Sequence, residues 1–379
     1  MTRRHRRRAA PLGVLLAGLV AGSLLCATSV APAHAEPGSP ESGKQAARSR
    51  TSTAKLQADG SLSDVAGLSE KDVWAVGQQD VWDFWQNQGV ITHWNGSSWT
   101  EVDVRNDTTG AGHLRSVAAA SKSDVWAIGD GHDGLPYVAR GNRDGFDRLA
   151  IVQLRGGDWL GGVAATTGRV VLVGSRDGRT FAATAKGPSW SGWETVQGPS
   201  GALYGVGLTA KGEGWAVGDS GSRPLILRLT SSGWKVSHVP VVKGGFLRDV
   251  YVQSRKRAVA VGGVYQHSGK ITPLVLSWDG ESWTRERLPI RQAELYGVTG
   301  DGDGAFWVSG YDPERPGTAF LLHYTGSKWK TEHGDSLPDR TVRLQAVTRV
   351  GETTMAVGHT LDEGDRYRDV IETFGAPAK

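Results

Sequence analysis

Cysteine is almost absent from this sequence, with Cys26 the only one. The one long apolar run, Leu12 to Ala31, holds it. Arg3, Arg4, Arg6, Arg7 and Arg8 precede that run, and the small-x-small triplet Ala33-His34-Ala35 follows it. This order is that of a secretory signal peptide over residues 1–35, so a secreted, extracellular protein is expected, with no membrane contact after cleavage. Bulky Leu25 before Cys26 does not suit lipoprotein processing. The 344 residues after Ala35 hold no cysteine. That excludes disulfides, thiol nucleophiles and cysteine-held metals, and leaves stability to a large core. Excess positive charge goes with the leader: losing its five arginines takes the formal charge from +4 to −1. A nucleic-acid partner, which needs clustered cations, has no support. No segment shows a 3.6-residue apolar period, so essentially no helix is expected. The eight histidines after the leader are scattered, without HExxH or paired metal spacing, so no cofactor is expected.

Glycine and tryptophan are what the sequence has in quantity, 53 and 15 residues, and together they suit short strands and tight turns. They recur in a pattern. DVWAVG at Asp72–Gly77 returns as DVWAIG at Asp124–Gly129 and EGWAVG at Glu213–Gly218. Weaker copies end at Gly174, Gly262, Gly310 and Gly358, and the successive spacings are 52, 45, 44, 44, 48 and 48 residues. A Leu-x-x-Val pair opens each unit, from Leu62/Val65 to Leu344/Val347. A third apolar strand ends each at residues such as Trp94, Trp278 or Tyr324, and NGSS- or DGES-type turns lead to a fourth. A mid-forties period carrying four strands predicts an all-β fold, a seven-bladed β-propeller with four antiparallel strands per blade. Trp74, Trp126, Trp215 and Trp307 of the second strands, and the tryptophans of the fourth, are assigned to packing between blades.

The last unit stops after its third strand, near Phe374. Thr51–Ala58 alternates like a strand and has no unit of its own, so it is predicted to close the seventh blade as its outer strand. Residues 36–50 read as a disordered linker and 51–379 as a single propeller domain.

In this strand order the loops between second and third strands share a rim with the connections between units, and all the long, individual loops fall there. That rim is the expected binding face. Trp82, Phe84 and Trp85 in the first loop match no repeat position, and Tyr137, Tyr265, Tyr311 and Tyr367 fall in equivalent loops. Exposed rings beside polar groups suit sugar or peptide recognition. Catalytic look-alikes do not hold. GDSGS at Gly218–Ser222 has no histidine partner in context, and GDSL at Gly334–Leu337 lacks its later Asp-x-x-His. SWDGESW at Ser277–Trp283 is one residue short of a sialidase Asp-box. GDGDG at Gly300–Gly304 offers two carboxylates where calcium takes six to eight oxygens. A hydrolase or lyase would need a cluster in the central channel, where only Arg115, Arg248 and Asp249, with Asp64, are available.

DVWAVG followed by HWNGSSW resembles the repeats of secreted actinobacterial propeller proteins, including propeller-type lectin subunits of umbrella toxin particles. The resemblance implies a non-enzymatic, lectin-like subunit that recognises a surface carbohydrate or other target and attaches to a secreted adaptor protein. The alternative is a protein–protein scaffold of an extracellular complex.

Overall fold

The computed structural model describes residues 49–375 apart from 58, 84, 85 and 188. The leader and residues 36–48 therefore lie outside the described residues. Seven antiparallel sheets form the blades of a β-propeller, and no helix occurs among the described residues. The inner strands are Gly60–Ser69, Ala111–Ser121, Trp159–Thr166, Ala202–Leu208, Gly245–Ser254, Glu294–Gly300 and Arg340–Val350. Six blades run in chain order from inner to outer strand. Blade 2 adds a two-residue fifth strand, Val104–Arg105, parallel to its outer strand.

The seventh blade closes with the N-terminal segment as expected, but by a shorter strand. Arg50–Ser52 pairs antiparallel with Tyr367–Phe374, Arg50 opposite Thr373 and Ser52 opposite Ile371. Lys55 then takes a φ of 60°, a left-handed conformation that turns the chain out of the sheet before Ala58. The closing strand is held by side chains as well. Thr51 Oγ1 donates to Glu372 Oε2 at 2.6 Å, and the Ala54 N–H donates to the Asp369 carboxylate.

The repeat glycine has a specific cause. Each inner strand carries a β-bulge just after its leading Leu, between Leu62 and Asp64 in blade 1 and at the matching place in the other six. The bulge pushes the carbonyl oxygen of the residue before the Leu into the second strand. A Cβ on Gly77, Gly129, Gly174, Gly218, Gly262, Gly310 or Gly358 would lie inside the radius of that oxygen. Only glycine admits the approach.

The Asp-x-Trp of the same signature ties blades together. The Trp74 and Trp126 indole N–H groups donate to Asp72 and Asp124, two residues earlier, at 3.1 and 2.9 Å. His93 Nε2 and Arg140 Nε, on the neighbouring third strands, meet the same carboxylate oxygens at 2.9 and 2.6 Å. Held this way, Trp126 meets Trp190 and Trp193 of blade 3 edge-on at 5.4 and 6.1 Å. Trp215 packs on Trp278 and Trp283 of blade 5 at 4.8 and 5.2 Å, and Trp74 on Phe146 of blade 2 at 5.4 Å. Each such ring removes about 150–250 Å² from water.

Gly218→Ala is expected to lower stability by about 2–4 kcal/mol, because backbone on two strands must move. Gly168→Ala, at a turn where an added Cβ meets nothing, should stay within about 0.5 kcal/mol of the parent. Chemical denaturation of the two variants measures the difference, and equal stabilities would contradict the assignment.

Candidate functional site

The bulge that excludes a side chain at the repeat glycine presents another to the channel. The residue after each leading Leu is Ser63, Arg115, Gly161, Tyr204, Arg248, Tyr296 or Gln345. All seven line one cavity of about 530 Å³. The same seven border a smaller chamber of about 260 Å³ deeper along the inner strands. Trp82 and Tyr367, from the long-loop rim, line the wider cavity too, so it is the mouth of the central channel on that rim. A cleft of about 760 Å³ between blades 1 and 2 is larger, but exposed tips of tight turns such as Lys71, Lys122 and Arg143 edge it. It lies among the tight turns, on the rim opposite the long loops.

Two arcs of rings face each other across the mouth. On one side Arg115 lies over Trp159 at 5.3 Å, and Trp159 meets Tyr204 edge-on at 5.5 Å. Arg248 lies over Tyr204 at 4.8 Å and Phe246 at 4.9 Å, and Phe246 packs on Tyr265 at 4.7 Å with the rings tilted by 35°. On the other side Trp82 packs on Tyr367 at 5.3 Å, and Tyr367 on His359 at 4.8 Å. Trp82 is 62% exposed, a large apolar surface open to a partner.

Electrostatically the mouth is cationic to neutral. Arg115 is paired through both guanidinium nitrogens with Asp130, NH1 at 2.6 Å. His113 and His359 are uncharged at neutral pH. Burial and the nearby Arg115 hold His113 down to about 4, and burial and Arg343 do the same for His359. Ser63 Oγ and Ser61 Oγ satisfy these rings at 2.7 and 2.9 Å. Burial, helped by Asp219, pushes the Tyr204 phenol up to about 12, so it stays protonated.

The deeper chamber does gather Asp64 and Asp249 with Arg115 and Arg248. Burial pushes Asp64 up to about 7 and raises Asp249 as well. Perturbed carboxylates in a channel are a common mark of catalysis. Here both oxygens of each acid hold strands together. Asp64 accepts the N–H of Val65 at 2.8 Å, and from blade 2 the N–H of Val117 at 2.9 Å and the Ser116 hydroxyl at 2.7 Å. Asp249 accepts the N–H of Val250 at 2.7 Å and of Val298, in blade 6, at 2.8 Å.

Of the seven residues the sequence singled out, Trp82 and Tyr367 meet at the mouth. Phe84 and Trp85 lie outside the described residues. Tyr265 is exposed and ends the first arc by packing at a tilt on Phe246, without lining the cavity. Tyr311 is half-buried beneath Arg343 at 4.1 Å and does not line it either. Tyr137 is a correction: it is fully buried, its hydroxyl donates to Asp107 Oδ2 at 2.5 Å, and it belongs to the core between blades. Trp159 and Tyr204 were missed. They flank a leading Leu on either side, at Leu160 and Leu203, where repeat positions read as architecture.

No family model and no curated protein matches the chain. Solved structures do. One similar structure is YCF48 bound to D1 peptide, with a TM-score of 0.57 and 13% identity, covering 89% of this chain and 100% of that one. Another is Sqt1 of Chaetomium thermophilum bound to the N-terminus of the ribosomal protein L10, with a TM-score of 0.53 and 12% identity, covering 83% and 88%. The likeness is one of fold.

The two mouth histidines carry a pH signature. A buried neutral imidazole titrates near 4 folded and near 6.5 unfolded. The unfolded chain therefore takes up protons first, and stability is lost as pH falls from 6.5 toward 4. Asp64 has the opposite sign, since its raised value favours the folded state as pH falls through 7. Comparing variants separates the two. Replacing His113 and His359 together by Gln should flatten the acid limb of the melting temperature between pH 6.5 and 4.5, and an unchanged limb would contradict the assignment.

Proposed function

We propose that this protein is a non-enzymatic recognition module, exported from the cell, whose channel mouth binds a segment of a partner protein. The observation that carries the reading is the convergence of seven bulged residues and two rim aromatics on one cavity. A rigid ring of strands holds that cavity open, so little ordering entropy is lost on binding. Its volume of about 530 Å³ suits a few side chains of an extended chain. The engagement of Asp64 and Asp249 in contacts between blades supports a binding role over hydrolase or lyase chemistry. Two solved propellers of similar fold are bound to peptides, which agrees with a protein partner.

A lectin-like role is the second reading. The Trp82–Tyr367 pair favours it: an exposed indole braced by a second ring, beside Gln78 and Gln345, is a surface on which a sugar ring can stack. Either role suits a target-recognition subunit of a secreted complex held by an adaptor protein, including a toxin particle.

The test is capture. Immobilised residues 36–379 are incubated with the producing organism's culture supernatant and, separately, with a glycan array. Trp82→Ala and Trp159→Ala should each weaken capture about tenfold, the loss of one well-buried aromatic contact of roughly 1.4 kcal/mol or more, without changing the melting temperature by more than a few degrees. Undiminished capture by both variants would remove the mouth as the site. Capture confined to the glycan array would select the lectin reading.

A further inference from the structure

The two guanidinium groups at the mouth are not equivalent. Arg115 has a partner in Asp130, which takes both of its terminal nitrogens. Arg248 has none: among the described residues no carboxylate lies within ion-pair distance and no acceptor takes its N–H groups. Its neighbours are rings, Tyr204 at 4.8 Å and Phe246 at 4.9 Å. Asp249, next in sequence, is engaged by the Val250 and Val298 N–H groups. No carboxylate lines the wider cavity.

That arrangement is costly without a ligand and suited to one. A half-buried cation with no counter-charge loses hydration without compensation. Ring faces on the guanidinium fix its plane and leave the edge, where the N–H fork lies, for a planar anion. The fork matches a carboxylate, which can accept two parallel bonds. The bulge between Leu247 and Asp249 sets the side chain at the channel mouth, so the orientation comes from the backbone.

We propose that Arg248 receives a peptide carboxylate, with an apolar or aromatic residue beside it packing on the Trp159–Tyr204 pair. The proposal rests on the reading of the mouth as a peptide site. The shared chemistry covers two sources, a free C-terminus and an Asp or Glu side chain, and the test tells them apart.

The experiment uses an immobilised array of random heptapeptides in three forms: free C-terminus, amidated C-terminus, and amidated without Asp or Glu. Residues 36–379 are compared with Arg248→Gln, and melting temperatures are recorded for both. The wild type is expected to bind a subset of the carboxylate-bearing peptides. Loss of the carboxylate, or Arg248→Gln, should lower the retained signal about tenfold or more. Loss on amidation alone assigns a C-terminal carboxylate, and loss only when Asp and Glu are removed assigns a side chain. If Arg248→Gln melts early, Arg248→Lys replaces it; that variant keeps the charge and lacks the fork, and a several-fold loss is expected. Peptide binding that is indifferent to carboxylates and to Arg248 overturns the proposal and leaves the peptide reading standing. No binding to any peptide, or binding only to uronate sugars on a companion glycan array, overturns both.

Discussion

A backbone carbonyl on the innermost strand of every blade leaves no space for a side chain on the strand beside it. The rest of the molecule follows from that contact. It explains the glycine that ends each WAVG-type phrase, since a Cβ there would overlap the oxygen. It also fixes the bulge after each leading Leu, and with it the direction of one side chain per blade. Seven such side chains reach the same cavity. Architecture and binding surface are therefore two consequences of one irregularity in strand pairing, a place where bulges commonly aim side chains.

The blades are joined by a second repeated device with a graded chemistry. Near the channel the links are hydrogen bonds to backbone. Asp64 reaches Val117, the Ser116 hydroxyl accepts the Val163 N–H at 3.2 Å, and Asp249 reaches Val298. Farther out they are aromatic, with Trp74, Trp126 and Trp215 of the second strands packed on rings of the next blade. Buried carboxylates tolerate this position because strand N–H groups compensate their desolvation. The ring then closes through Thr51 and Ala54 on Glu372 and Asp369, which joins the first strand of the propeller to its last blade without a disulfide.

The fold was legible because the repeat signature is itself the steric record of the bulge: Gly77, Gly129 and Gly218 mark positions where no other residue fits. The closing strand was legible from an odd count, a seventh unit lacking its fourth strand. The site was legible in part. Trp82 stood out because it matched no repeat position, and the same logic reached Tyr367. It misplaced Tyr137, which is already in the third strand Pro136–Asn142, opposite Gly129, and turns its ring into the core with Arg148 4.9 Å away. It passed over Trp159 and Tyr204, and weighed Arg248 only as a member of a catalytic cluster, because they sit beside the leading Leu of each unit. Their direction depends on the bulge, and an alternating strand pattern does not encode a bulge. Comparing the residue after each leading Leu across the seven units, Ser, Arg, Gly, Tyr, Arg, Tyr and Gln, is the signal that would have found Tyr204 and marked Arg248 as its counterpart. It is variable and rich in recognition side chains where the Leu and Val that frame it are uniform.

The central claim is that ligand enters at the mouth built by these bulged residues. Site-specific photo-crosslinking addresses it most directly. A photoreactive residue in place of Gln345, at the mouth, is compared with one in place of exposed Asn95, in a tight turn on the opposite rim. Each is irradiated with the captured target. Adducts from position 345 and none from position 95 are the predicted result. Adducts from position 95 alone would place the ligand on the other face and contradict the account.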